Sequence, residues 1–239
     1  MPQALPLTDD SVDDLTLPSV QHDFAEWRQG RRRYAVWALD VDVAPLRSRC
    51  AGYRSQLAEY LLPGYCRQPH ITVHICGFPA AQIGRADDYA ASTFAAQVRA
   101  LSKARWSPFV VDIGRAASFS SAPYLSVADH AGGIANLRRS LAGDAAVDDF
   151  RYVPHASIGL YRGAFSLPGM LSRLAVLDFG EPLQLEIKQL CWMTYEAAVI
   201  GGSLSTLAEF DLLRGCLHVP DEQRLADSFG GVLPEQPFA

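Results

Sequence analysis

The chain carries one five-residue pattern twice, Pro69-His70-Ile71-Thr72-Val73 and Pro154-His155-Ala156-Ser157-Ile158, with the histidines 85 residues apart. Only 6 histidines and 15 prolines occur in 239 residues. A second Pro-His-x-Ser/Thr by chance has odds of roughly one in a thousand. Proline has no N–H to donate and is tolerated at a strand's first residue, so each proline places its histidine where a strand begins. Alternate strand residues face opposite ways. On that reading His70, Thr72 and His74 share one face while Ile71, Val73 and Ile75 face the core. In the second copy His155, Ser157, Gly159 and Tyr161 share the corresponding face, with Ala156, Ile158 and Leu160 behind them. Each copy sets an imidazole beside a hydroxyl.

The segments around the two clusters repeat their order as well. Residues 34–39 read as a strand, and Leu46, Cys50, Tyr53, Leu57, Tyr60 and Leu61 mark a helix face before the His70 strand. In the second half residues 124–127 read as a strand, with Ile134, Leu137 and Leu141 on a helix face before the His155 strand. Phe94, Val98 and Leu101 then mark a helix ahead of a strand at 108–113. Leu167, Met170, Leu171 and Leu174 mark the matching helix ahead of a strand at 182–187. A last antiparallel pair, 191–195 and 205–213, is joined through Gly201-Gly202. The fold class is therefore α+β, with two pseudo-equivalent lobes of strands and flanking helices. Residues 34–218 form the bilobal domain, 1–33 a flexible N-terminal extension and 219–239 a C-terminal tail.

The pair of His-x-Thr/Ser-x motifs resembles the signature of the two-histidine (2H) phosphoesterase superfamily, the group of 2′-5′ RNA ligase-like proteins and cyclic nucleotide phosphodiesterases. The resemblance covers residues 34–215, about three quarters of the chain, and Ser157 in place of threonine stays within the pattern. It implies two pseudo-symmetric lobes of antiparallel β-sheet with flanking helices around a central cleft, with the histidine strands facing one another across it. His70 and His155 are then the acid and base of phosphodiester cleavage, because imidazole, with an ordinary pKa of about 6.5, performs either task near neutral pH. Thr72 and Ser157 donate to the non-bridging oxygens, where charge accumulates. The implied reaction opens a 2′,3′-cyclic phosphate of a nucleotide or RNA end, with the 3′ oxygen leaving, and needs no metal or other cofactor. Within the family the same motif pair also serves 2′-5′ oligonucleotides and cyclic (di)nucleotide signals. A nucleotide- or RNA-end-binding module without turnover is the alternative from another class.

Zinc is the rival reading of His70 and His74. The β-branched run Ile71-Thr72-Val73 favours a strand over the helix that i, i+4 ligation needs, and no cysteine pair supplies thiolates. The sequence has no Gly-x-Ser-x-Gly elbow and no phosphate loop ending in Gly-Lys-Ser/Thr. Gly132-Gly133 reads as a turn or helix start that can offer backbone donors to an anion. His74 and Tyr161, sharing the histidine faces, are further candidates for touching substrate. Tyr161, Tyr124, Phe119 and Trp37 are candidates for stacking on a base, with core packing as the other use of such rings.

A net charge of −5 argues against a protein that coats long nucleic acid through a basic face. It leaves room for a small phosphate ligand held by local cations. Arg28 and Arg31 to Arg33 cluster before the first strand, and the simplest reading is a solvated charge run. Five cysteines, Cys50, Cys66, Cys76, Cys191 and Cys216, form no Cys-x-x-Cys pair and fit reduced thiols. The acidic start lacks a basic, then apolar, leader, and no segment approaches a membrane span. The expected setting is the cytoplasm, without a membrane partner.

Overall fold

The repeat seen in the sequence becomes two sheets, each holding one histidine strand. The computed structural model describes residues 14–143, 152–177 and 179–234. The first half runs α1 (Ala25–Arg28), β1 (Arg33–Asp40), α2 (Ala44–Gln56), β2 (His70–Ala80), β3 (Asp88–Ala90), α3 (Ala91–Lys103) and β4 (Phe109–Ser118). The second runs β5 (Pro123–Ala128), α4 (Gly133–Ala142), β6 (His155–Ser157), α5 (Leu167–Val176), β7 (Leu183–Ile187), β8 (Gln189–Glu196), β9 (Ser205–Asp211), β10 (Cys216–His218) and α6 (Glu222–Ser228). One sheet has the order β10-β9-β8-β1-β2-β3 and the other β6-β5-β4-β7. All pairings are antiparallel except β2 with β3. The expected α+β class and the two-lobed arrangement hold.

Three helices bury the faces that their spacing marks out, although α2 ends at Gln56, before Leu57, Tyr60 and Leu61, and in α5 Met170 and Leu174 are buried while Leu171 is 43% exposed. Leu46, Cys50 and Tyr53 of α2, Phe94, Val98 and Leu101 of α3, and Ile134, Leu137 and Leu141 of α4 are all in the core. Beneath the first sheet lies an aromatic cluster: Trp37 stacks on Phe94 at 5.6 Å and Trp192 on Phe229 at 5.4 Å. Two of its polar side chains meet on Gln97, whose Oε1 accepts from Trp37 Nε1 at 2.7 Å and from the Tyr89 hydroxyl, while its Nε2 donates to the Leu141 carbonyl at 3.0 Å. These bonds matter because a buried polar group left alone costs about 1–3 kcal/mol.

Both ends of the described chain depart from expectation. Residues 1–13 lie outside the description, but the rest of the N-terminal extension is docked. Thr16, 1% exposed, exchanges bonds with Phe165, and its hydroxyl donates to the Gly163 carbonyl. Leu17 N–H donates to Ser120 O and Ser19 N–H to Tyr161 O. Arg28 pairs with Asp23, Arg31 with Asp87 and Asp88, and Arg32 and Arg33 with Glu196. The arginine cluster is thus neutralised locally. In the expected tail, Asp221 caps α6, and Leu225 and Phe229 enter the core. Their i, i+4 spacing behind an acidic cap was the available signal.

One further expectation fails, and of the two uses read into Gly132-Gly133 only the helix start is realised. The second histidine strand stops at Ser157, because β6 is an edge strand. Beyond it the chain runs between two partners: Ile158 and Tyr161 N–H donate to Pro123 O and Ser121 O, while Leu62 N–H donates to Leu160 O and Arg162 N–H to Tyr60 O. The Gly133 and Ile134 amides at the start of α4 are occupied by the Asp129 carboxylate at 3.1 and 2.7 Å, so they are not free for an outside anion.

Candidate active site

A β-bulge decides which residues of β2 join the site. In the β1–β2 ladder Asp40 faces His70, Leu39 faces Ile71 and Ala38 faces Thr72, but the next partner of Trp37 is His74. Val73 is the extra residue, and an extra residue reverses the alternation beyond it. His70 and Thr72 remain on one face with Ala38. His74 turns to the opposite face with Trp37, while Ile75 comes round to the face of Val36 and is 54% exposed. The expected sharing of a face by His70, Thr72 and His74, and the expected burial of Ile75, are both overturned. His70 and His74 therefore cannot chelate one ion together. Among the described residues no three His, Cys, Asp or Glu side chains converge as metal ligands.

In the second lobe Ser126 pairs with His155 and Tyr124 with Ser157, so His155, Ser157 and Tyr124 share a face. The two imidazoles are held alike. His70 Nδ1 lies 2.8 Å from the Gln68 carbonyl, and His155 Nδ1 lies 2.8 Å from that of Val153. A carbonyl only accepts, so in both rings Nδ1 carries the hydrogen and Nε2 is left as the base. The clamp on His70 is itself fixed: the Gln68 amide both donates to Leu204 O and accepts from Leu204 N–H. Arg67 bonds Gly202 O and lies over Tyr195 at 4.1 Å.

Burial pushes the His70 imidazole down to about 4, with the charges of Arg67 and His155 adding to the effect and the Gln68 bond opposing it. The two histidine strands, β2 and β6, lie against one another across the two sheets. His155 is likewise depressed, by burial. Both rings are predominantly neutral near pH 7 when nothing anionic is bound.

Of the aromatics expected to stack on a base, two flank His155. Phe119 and Tyr124 stack on one another at 4.1 Å, and both present edges to the imidazole at 5.0 and 5.5 Å. Both keep partly exposed surface. Trp37 and Tyr161, at 0% exposure, offer no ring surface to a ligand. Trp37 is spent on Gln97. Tyr161 sits behind the β4–β5 turn, where its hydroxyl donates to Ser118 Oγ at 2.6 Å and Ser118 in turn donates to Phe119 O. His74, half-buried beside Arg138, is pushed down to about 4, chiefly by that burial.

Several contributors were not singled out in the sequence. Arg54 Nε donates to Ile158 O, and Arg138 Nη1 to Val73 O, each at 2.6 Å. Tyr152 donates its hydroxyl hydrogen to Thr72 O at 2.7 Å. Their acceptors are main-chain carbonyls, which any residue supplies, so no residue pattern marks them. The signal available was the arginines' separation of 84, close to the histidines' 85.

A family model described as the 2′-5′ RNA ligase superfamily matches residues 35–198. No curated protein matches the chain. Among solved structures, one described only as a phosphoesterase has a TM-score of 0.51 at 16% identity, covering 75% of this chain and 98% of its own. The protein TT0787 of Thermus thermophilus gives 0.51 at 14%, with the same coverage. Escherichia coli LigT complexed with 3′-AMP gives 0.48 at 14%, covering 77% and 99%. At these identities the likeness to the first two is one of fold.

Proposed function

Because the chain belongs to the 2′-5′ RNA ligase superfamily, whose match spans both histidine clusters, we propose that it is a metal-independent phosphodiesterase that opens a 2′,3′-cyclic phosphate of a nucleotide or RNA end. The observation that carries this reading is the duplicated clamp, in which two imidazoles with Nδ1 bonded at 2.8 Å each present a bare Nε2. A phosphate between them is flanked by a base and an acid. One imidazole takes a proton from water as its oxygen attacks phosphorus. The P–O3′ bond breaks, and the other imidazole, protonated, delivers its proton to the leaving oxygen. That leaves a 2′-phosphate. Thr72 and Ser157, each two residues after its histidine, donate to the non-bridging oxygens.

The depressed basicity of the rings suits this scheme. The negative charge of a bound phosphate favours the protonated form of a neighbouring imidazole, so substrate itself loads the general acid. The Phe119–Tyr124 pair supports a base or ribose on the His155 side and selects which bond is in line.

The test is a screen of 2′,3′-cyclic mononucleotides, 2′-5′ dinucleotides and cyclic dinucleotides, followed by phosphorus NMR. A single 2′-phosphate product from a 2′,3′-cyclic substrate is expected. Saturable binding without turnover of any of them would replace the enzyme with a nucleotide-binding module, and a mixture of 2′- and 3′-phosphates would remove the orienting role of the aromatic pair.

A further inference from the structure

The two halves of the molecule exchange one contact in mirror fashion. Arg54 lies on α2, the helix leading to the His70 strand, and its Nε donates to the carbonyl of Ile158, directly after Ser157. Arg138 lies on α4, the helix leading to the His155 strand, and its Nη1 donates to the carbonyl of Val73, directly after Thr72. Both bonds are 2.6 Å, and both acceptors stand three residues beyond a histidine. Each guanidinium also lies over a tyrosine that precedes the histidine of its own half: Arg54 over Tyr65 at 5.1 Å and Arg138 over Tyr152 at 3.8 Å.

We propose that Arg54 and Arg138 form a reciprocal strap that fixes the separation of the two histidine–hydroxyl pairs, each arginine positioning the catalytic strand of the opposite half. The proposal deepens, and rests on, the phosphodiesterase reading of the site. An acid and a base acting on one phosphate from two sheets must hold their spacing closely, and a misplacement of about 1 Å can cost on the order of a hundredfold in rate. The strands themselves supply little of that rigidity: β6 has three residues, and Val73 is the bulged residue of β2. The strap acts at these two weak points. Anchoring on carbonyls beside Thr72 and Ser157 fixes the backbone that carries the hydroxyls and leaves those side chains free for substrate.

Arginine is required by the geometry. Arg54 spans both halves at once, since Nε reaches Ile158 O while Nη2 reaches Arg67 O, just ahead of His70, at 3.4 Å. Arg138 bonds Val73 O with its plane on Tyr152, whose hydroxyl holds the adjoining Thr72 carbonyl. A planar fork does both tasks together, whereas an ammonium is a single point of charge.

The test uses Arg54→Ala, Arg138→Ala and the two lysine variants of the full chain. With a 2′,3′-cyclic nucleotide as substrate, each alanine variant is expected to lose about 10- to 100-fold in kcat with KM changed less than about threefold. The lysine variants should regain only a small part of the loss, and added guanidinium ion should restore rate to the alanine variants. A second readout needs no activity: in histidine-selective ¹⁵N spectra, Arg138→Ala should move the His70 signals and Arg54→Ala those of His155. Unchanged kcat in a folded variant, a loss carried wholly by KM, or spectral changes confined to the mutated half would overturn the strap. If the wild type turns over no phosphodiester, the phosphodiesterase reading fails, and the spectra still decide whether the arginines act across the halves.

Discussion

The hydroxyl of Tyr152 donates to the carbonyl of Thr72 at 2.7 Å, so the residue three positions before one histidine grips the residue two positions after the other. The bond crosses from the approach to β6 into the bulge of β2. It fixes a backbone oxygen at the point where the ladder is interrupted. Moving either histidine segment therefore strains the other.

Tyr152→Phe removes that bond and little else. Losing a half-buried neutral hydrogen bond should cost about 1 kcal/mol in denaturant unfolding. Because the freed carbonyl sits on the backbone of Thr72, kcat should fall about tenfold. Equal kcat in the two proteins would show that Thr72 is held well enough without it.

His70→Ala and His155→Ala should each lower kcat/KM by a factor on the order of a hundred or more. The double variant should be scarcely worse than the poorer single one, since acid and base act in one event. Steady-state kinetics on the three proteins, with circular dichroism to confirm folding, checks this. A single variant with nearly full activity would remove that ring from the chemistry.

Acid should begin to destabilise the fold in the range where histidines titrate. His70 and His74 are held down at about 4, and His155 is also depressed, below the unfolded value of 6.5. Between the unfolded and folded values the unfolded chain binds more protons, so stability is complete above about pH 6.5 and falls as pH drops toward 4. Urea midpoints measured from pH 7.5 to 4.5 should fall steadily, and His74→Gln should flatten part of the slope.

The aromatics should separate by role. Phe119→Ala or Tyr124→Ala is expected to raise KM about 5- to 150-fold, the equivalent of a stacking contact worth about 1–3 kcal/mol. Trp37→Phe should leave KM alone and lower the unfolding midpoint, because it breaks the buried bond to Gln97. A KM effect from Trp37→Phe without loss of stability would return that ring to the substrate.

Activity should survive prolonged dialysis against EDTA. His70 and His74 face opposite ways across the bulge, and the proposed steps use only imidazole and hydroxyl groups. Loss of rate on chelation, recovered by adding back a divalent metal, would overturn the acid-base scheme.

The paired clusters were legible because the information is local: proline before histidine, then a β-branched or small residue alternating with a hydroxyl, marks a strand start and a polar face without reference to neighbours. The repeated helix and strand periodicities likewise announced two lobes. What only the tertiary structure decided is where alternation stops. Period-two patterning puts His74 beside Thr72, yet the extra residue at Val73 exists only through pairing with Ala38 and Trp37 of β1, and it sends His74 to the other face. The fates of Trp37 and Tyr161, indistinguishable in sequence from Tyr124, were set by depth: Gln97 and Ser118, 60 and 43 residues away, claim their polar atoms. The arginine and tyrosine contacts that join the halves end on carbonyl oxygens, which every residue has. Such bonds leave no mark on the accepting side of the sequence, and only the folded path of the chain selects them.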